Sequence, residues 1–161
     1  MMKEKDSGQI EIVEYKKAYK KAFKSLNQEW IETYFKMEEE DYKALDHPDE
    51  YIIQKGGEIL FARCENEFAG VCALIKLNHE KYDYELAKMA VSPKFQGRGI
   101  GHLIGEAVIN KARQLGAKVI YLESNTKLTP AINLYYKLGF KKVQGPASPY
   151  KRSNIQMELV L

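Results

Sequence analysis

Gln96-Gly97-Arg98-Gly99-Ile100-Gly101 stands between an apolar run and a helix-like pattern. Glycine loses more backbone freedom on folding than any other residue, so this density is costly unless the backbone must turn through positive φ or approach something closely. The run before it, LAKMAV, ends at Val91, where Ser92 and Pro93 stop a strand. After it, Ile100, Leu103, Ile104, Ala107, Val108 and Leu115 trace one helical face, and Gly116 stands where a left-handed C-cap belongs. A junction of this kind can turn several backbone N–H groups to one concave side, beside the free N–H groups and positive dipole end of the helix. It is a main-chain cradle for phosphate, and Arg98 can add a charge-assisted donor.

The spacing narrows which phosphate ligand is meant. A nucleoside-triphosphate loop needs Gly-Lys-Ser/Thr after four spacers, and the chain has none. A dinucleotide fingerprint needs Gly-x-Gly-x-x-Gly directly after a strand. Here positions 102 and 104 are His and Ile, and SPKFQ separates the strand from the first glycine.

The surrounding pattern predicts an α+β fold with a mixed sheet. QIEIVEY (9–15) alternates as a strand, and residues from Lys16 to about Phe35 place Tyr19, Phe23, Leu26, Trp30, Ile31 and Tyr34 at helical spacing. EEEDYKALD (38–46) reads as a short helix ending near His47–Pro48. EILFARC (58–64) and FAGVCALIKL (68–77), joined by ENE, read as a hairpin, and YDYELAKMAV (82–91) as a further strand. AKVIYLE (117–123) is apolar almost throughout, as a buried central strand would be. Thr129 then reads as an N-cap, with Pro130 at the first position of a helix that ends at Gly139. FKKVQG and NIQMELVL close the sheet. With no internal repeat or low-complexity linker, residues 1–161 are expected to form a single domain.

LAKMAVSPKFQGRGIGHLIGEAV resembles the acetyl-coenzyme A motif of the GNAT superfamily of N-acetyltransferases, with the core Gln/Arg-x-x-Gly-x-Gly/Ala falling on residues 96–101. PAINLYYKLGFKKV resembles the family's second motif, ending in Leu-Tyr-x-x-x-Gly-Phe. The likeness is specific over 82–143, weaker over 58–81 and only topological over 1–57. It implies a mostly antiparallel sheet flanked by helices, with strands 82–91 and 117–123 a splayed parallel pair at the cofactor site. It implies acetyl transfer from acetyl-CoA, as co-substrate and without a metal, to a primary amine by direct attack. A coenzyme A-binding sensor is the alternative on the same fold.

Carried over residue by residue, the resemblance gives the pyrophosphate to backbone groups of Gln96, Gly97, Arg98, Gly99, Ile100 and Gly101. It gives the pantetheine amides to Met89, Ala90 and Val91. Tyr135 matches the tyrosine whose phenol protonates the departing thiolate, while Tyr136 is expected to face solvent. Glu85 is the first candidate for the base that takes the ammonium proton, and Glu123 the second. Many members carry Asn-x-x-Ala before the tyrosine helix; the matching positions here are Leu128 and Ala131, and Asn125 is the nearest amide.

Charge sharpens the picture. Residues 1–50 carry 13 acids against nine bases, whereas Lys88, Lys94, Arg98, Lys111, Arg113 and Lys118 face the single acid Glu106 over 88–118. The second cluster suits an anionic ligand at the glycine loop. Without an aromatic platform or a recognition helix it does not predict nucleic-acid binding. Two cysteines, Cys64 and Cys72, read as small core residues, and three histidines have no metal-ligand spacing. The polar start and the lack of a long apolar run predict a cytoplasmic protein with no membrane association. The acceptor is expected to be a small-molecule or peptide amine, bound between 25–50 and 144–154, where Trp30, Tyr34, Glu38, Glu39, Glu40, Asp41 and Tyr150 suit a cation. A homodimer is compatible with the resemblance.

Overall fold

The computed structural model describes residues 9–161. Its seven strands form one sheet: β1 (Ile10–Glu14), β2 (Glu58–Cys64), β3 (Glu67–Lys76), β4 (Tyr84–Val91), β5 (Val119–Ser124), β6 (Lys141–Val143) and β7 (Ile155–Val160). The order across the sheet is β1-β2-β3-β4-β5-β7-β6. Neighbours are antiparallel except β4 and β5, which run parallel. Four helices flank it: α1 (Lys20–Tyr34), α2 (Glu39–Asp46), α3 (Ile100–Gln114) and α4 (Thr129–Lys137). This is the α+β fold with a mixed sheet that the residue pattern predicts, mostly antiparallel as the resemblance implies.

The central strands are apolar on both faces because both faces are covered. Along β2, Ile59 and Phe61 enter one core cluster and Leu60 and Ala62 the other; along β3, Val71 and Ala73 oppose Cys72 and Leu74 in the same way. The first cluster packs against α1 and α2 through Phe23, Ile31 and Leu45. The second packs against α3 through Ile100, Ile104 and Val108, which recur every fourth residue. Phe61 is fully buried between Tyr19 and Phe68, and its truncation to Ala should cost about 3–5 kcal/mol. Cys64 and Cys72 are buried free thiols, as expected.

Local differences from the sequence reading have local causes. The first helix opens with a separate 3₁₀ turn at Lys17–Tyr19. A wide helical turn at Asp49–Ile53, unforeseen from sequence, follows Pro48 and buries Ile52 under β2 and β3. Thr129 is the first residue of α4 rather than its cap; Leu128 holds the cap position with no side-chain hydrogen bond. Among the described residues no helix is long and apolar enough to cross a membrane.

Candidate active site

β4 and β5 pair at two positions, Tyr84 with Ile120 and Glu85 with Tyr121, and then diverge. On its other side β4 remains bonded to β3 as far as Val91. From Leu86 onward β4 therefore presents a backbone edge to an opening between the strands, with Met89, Ala90 and Val91 along it. Such an edge can be satisfied by strand-like addition of an amide-bearing ligand.

The opening leads to the glycine loop. Gly97 and Gly99 sit at φ +82° and +76°, and a Cβ added to either would meet nothing within 4 Å. Their backbone thus needs glycine for its conformation, and the space beside it is open. Gly101 does a different job: its φ is not left-handed, and an added Cβ would come within 3.0 Å of Leu134 Cδ2, so it lets α3 and α4 approach. Ile100 is buried in the core, and Gln96 and Arg98 are exposed, with the Arg98 guanidinium 5.3 Å from the Phe95 ring centre. Of the six basic residues expected to gather around this loop, three are paired with acids. Lys94 pairs with Glu67, Lys111 with Glu14, and Lys88 with Asp41.

Where the strands part, a cleft of about 320 Å³ runs from Tyr135 to the α1–α2 side of the sheet. Glu85 and Glu123 line its floor, Trp30 and Phe35 one wall, and Tyr150 and Arg152 the other. Burial pushes the Glu85 carboxyl up to about 7, Glu123 adds to the rise, and Lys88 pulls against it. Among the described residues the Glu85 carboxylate accepts no hydrogen bond, whereas both Glu123 oxygens are occupied, one by Ser148 Oγ (2.6 Å) and one by the Tyr121 hydroxyl (2.8 Å). Of the two acids considered as base, Glu85 is the one with free lone pairs. Tyr135 is 9% exposed, its ring edge-on to Phe140, and burial followed by the nearby Cys72 pushes its phenol up, so it keeps its proton. Tyr136 beside it is 49% exposed, as expected.

The cleft wall is held by a buried charge cluster centred on Asp41. The Arg152 guanidinium grips both Asp41 oxygens at 2.7 Å, and Lys88 Nζ donates to Asp41 Oδ1 (2.6 Å) and to the Tyr150 hydroxyl (2.8 Å). Asp41 Oδ2 also accepts the Glu38 backbone N–H at 2.8 Å, capping α2. Glu38 in turn accepts the backbone N–H groups of Lys151 and Arg152. Burial works to raise the Asp41 pKa, but Arg152 and Lys88 overcome it and hold the carboxyl at about 2. Lys88 reaches this face because β4 bulges there. Its φ is +54°, and the β3–β4 register slips between Val71 and Ala73. A bulge re-aims a side chain that regular alternation would place elsewhere.

Glu38 and Asp41, expected to meet a cationic substrate, are thus taken up by this cluster. Glu39 and Tyr34 are exposed, Tyr34 lying against Trp30, while Glu40 lines the cleft but pairs with Lys43. Asn125 borders the cleft, yet its amide donates to the Arg152 carbonyl and accepts the Lys127 N–H. Each of these bonds uses one of the amide's two donors or two lone pairs, so a donor and an acceptor site remain. The sequence reading missed Lys88 and Arg152 as parts of the site, having counted Lys88 with the glycine-loop charges.

Residues 23–140 match the acetyltransferase (GNAT) family. The chain is similar to the N-acetyltransferase YvbK of Bacillus subtilis, at 32% identity over 96 residues covering 60% of this chain and 59% of that one. It spans less than two thirds of the length of the first curated relatives it matches. Among solved structures, a GNAT-family acetyltransferase of Staphylococcus aureus Mu50 superposes with a TM-score of 0.84 at 21% identity, covering 94% of this chain and 99% of that one. The acetyltransferase yncA of Salmonella typhimurium, solved with its cofactor acetyl-CoA, superposes with a TM-score of 0.74 at 18% identity, covering 94% and 93%.

Proposed function

Because the chain belongs to the GNAT acetyltransferase family, we propose that it transfers an acetyl group from acetyl-CoA to a primary amine by direct attack. The observation that carries this reading is the parting of β4 from β5 after Glu85, directly upstream of a glycine loop whose open side would accept a diphosphate. The exposed β4 edge from Met89 to Val91 would hold the pantetheine amides, and the N–H groups of residues 96–101 the pyrophosphate. When bound there, acetyl-CoA supplies an acetyl thioester, with the coenzyme leaving as its thiol.

The side chains divide the proton work. Glu85, with free lone pairs and a pKa of about 7, takes a proton from the incoming ammonium. An ammonium of pKa about 10.4 gives its proton to such a base at a ground-state cost of about 5 kcal/mol, an unfavourable pre-equilibrium that must precede attack because the protonated nitrogen has no lone pair. Tyr135, buried and protonated, donates its phenolic proton to the leaving sulfur. Trp30, Phe35 and Tyr150 enclose the acceptor and exclude water.

The test is calorimetry with acetyl-CoA followed by thiol release across a panel of small amines and peptide N-termini. Amine-dependent thiol release is expected. Tight cofactor binding without turnover on any amine would identify a sensor, and absence of binding would end the coenzyme A reading altogether.

A further inference from the structure

On the reading that this cleft acetylates an amine, we propose that its acceptor also carries an anionic group, a carboxylate or a phosphate, so that an amine-bearing acid is preferred over a polyamine. Most charges around the cleft are cancelled by internal pairs. Lys88 and Arg152 are matched by Asp41 and Glu38, a cluster of two cations and two carboxylates. Lys43 is matched by Glu40 at 2.8 Å.

Two kinds of charge are left. At the floor are Glu85 and Glu123, neither bound to a cationic side chain. At the rim are Lys55 and Lys76, neither of which forms a salt bridge among the described residues; both line the cleft and both are exposed. Lys55 Nζ lies 5.2 Å from the centre of the Tyr51 ring, itself part of the cleft wall. The Lys76 stem passes Gly56, the residue after Lys55, where an added Cβ would sit 3.1 Å from Lys76 Cδ, and its Nζ lies 5.4 Å from the Tyr84 ring centre. Asp83 senses Lys76, but its Oδ2 accepts the backbone N–H groups of Lys118 and Val119.

An acidic floor below a basic rim suits a molecule with an ammonium at one end and an anion at the other. The same arrangement opposes a second ammonium, because a diamine reaching the floor would set its far charge beside two lysines.

The experiment compares kcat/KM for acceptors of equal chain length: an ω-aminocarboxylate, an aminoalkyl phosphate and a diamine. Acetyl-CoA affinity is measured in parallel by calorimetry. At least one anionic acceptor should exceed the diamine by tenfold or more, with a KM that rises with ionic strength. The Lys55→Glu/Lys76→Glu double variant, altered only at exposed positions, should reverse the order. The better anionic arm distinguishes carboxylate from phosphate, and either supports the inference. A diamine used equally well or better, or a preference unmoved in the double variant, overturns the inference and leaves the acetyltransferase reading standing. Acetyl-CoA binding with no turnover of any arm overturns both.

Discussion

Lys88 Nζ lies 2.6 Å from Asp41 Oδ1, with the two side chains 6% and 0% exposed. The bond ties a bulge in the middle of the sheet to the N-terminus of α2, and Arg152 extends it to the segment that walls the cleft. Taking such charges out of water costs several kcal/mol per ion before pairing offsets it, so the cluster's contribution lies in placement more than in net stability. What it places is the cleft wall, including Tyr150, whose hydroxyl Lys88 also holds.

Replacing Asp41 by Asn should therefore be severe, because it leaves Lys88 and Arg152 buried with Glu38 alone. A loss of about 3–5 kcal/mol at pH 7 is expected in urea denaturation. Lys88→Met should cost less, since Asp41 keeps its guanidinium fork. The pH dependence has a definite sign. The Asp41 pKa is lowered on folding, from 3.8 to about 2, so its stabilisation is present above the unfolded value and lost as pH falls through the folded one. The parent should shed about 2 kcal/mol on this account as pH drops from about 4 to 2, and Asp41→Asn should not. A parent whose acid unfolding matches the variant's would show that the cluster is not intact in solution.

Glu85 carries the opposite sign. Its pKa rises on folding from 4.5 to about 7, so its stability cost is absent below about 4.5, accrues as pH rises towards about 7 while only the unfolded chain ionises, and is full above that. Glu85→Gln should gain about 2 kcal/mol over the parent between pH 5 and pH 8, after allowance for its partial exposure. The same change removes the base. It should lower kcat/KM by about 100-fold and abolish the acid limb near pH 7. Stability and pH–rate profiles of one variant check both, and an activity limb that survives the substitution would assign the base elsewhere.

Much of this architecture was legible in advance, for identifiable reasons. Strand β2 and the face Ile100–Ile104–Val108 are set by burial, which leaves its period in the residues themselves. The Lys88 bulge leaves no such mark. A non-glycine residue at φ +54° has no compositional signal, and its partners lie 47 and 62 positions away in the chain. The partners of the basic residues are hidden for the same reason: Lys88, Lys94 and Lys111 fall in one stretch of sequence, but tertiary packing sends each to a different acid. Nor does the apolar run of β4 reveal where its pairing to β5 stops; that expectation came from family resemblance and is met after Glu85.

Gly99→Ala separates conformation from space. No atom would clash with the added methyl, but a φ of +76° costs an L-residue about 1–2 kcal/mol, and relaxation of the turn would rotate its N–H groups away from the open side. Global stability should fall by about 1 kcal/mol, and acetyl-CoA affinity should fall by about tenfold or more on loss of a charge-assisted contact. Gly101→Val, which drives into Leu134, should instead harm stability first. Calorimetry and urea denaturation on both variants distinguish the two jobs. Equal losses of affinity and stability in Gly99→Ala would remove the cradle assignment.

Tyr135→Phe isolates the proposed acid. The hydroxyl has no hydrogen-bonding side-chain partner among the described residues, while the ring packs edge-on against Phe140 at 6.3 Å between centres, so phenylalanine keeps the packing. Stability should stay within about 0.5 kcal/mol of the parent, and acetyl-CoA affinity should be retained. If the phenol protonates the departing sulfur, kcat should fall by about 10²-fold with the amine KM little changed, since the interaction exists only as the thiolate develops. The loss should shrink for a thioester whose thiol is more acidic, because a better leaving group needs less help from a donor. That dependence cannot arise from a packing defect, which would slow every thioester alike. A uniform loss across thioesters, or none at all, would leave Tyr135 as a core residue and return the leaving-group proton to solvent.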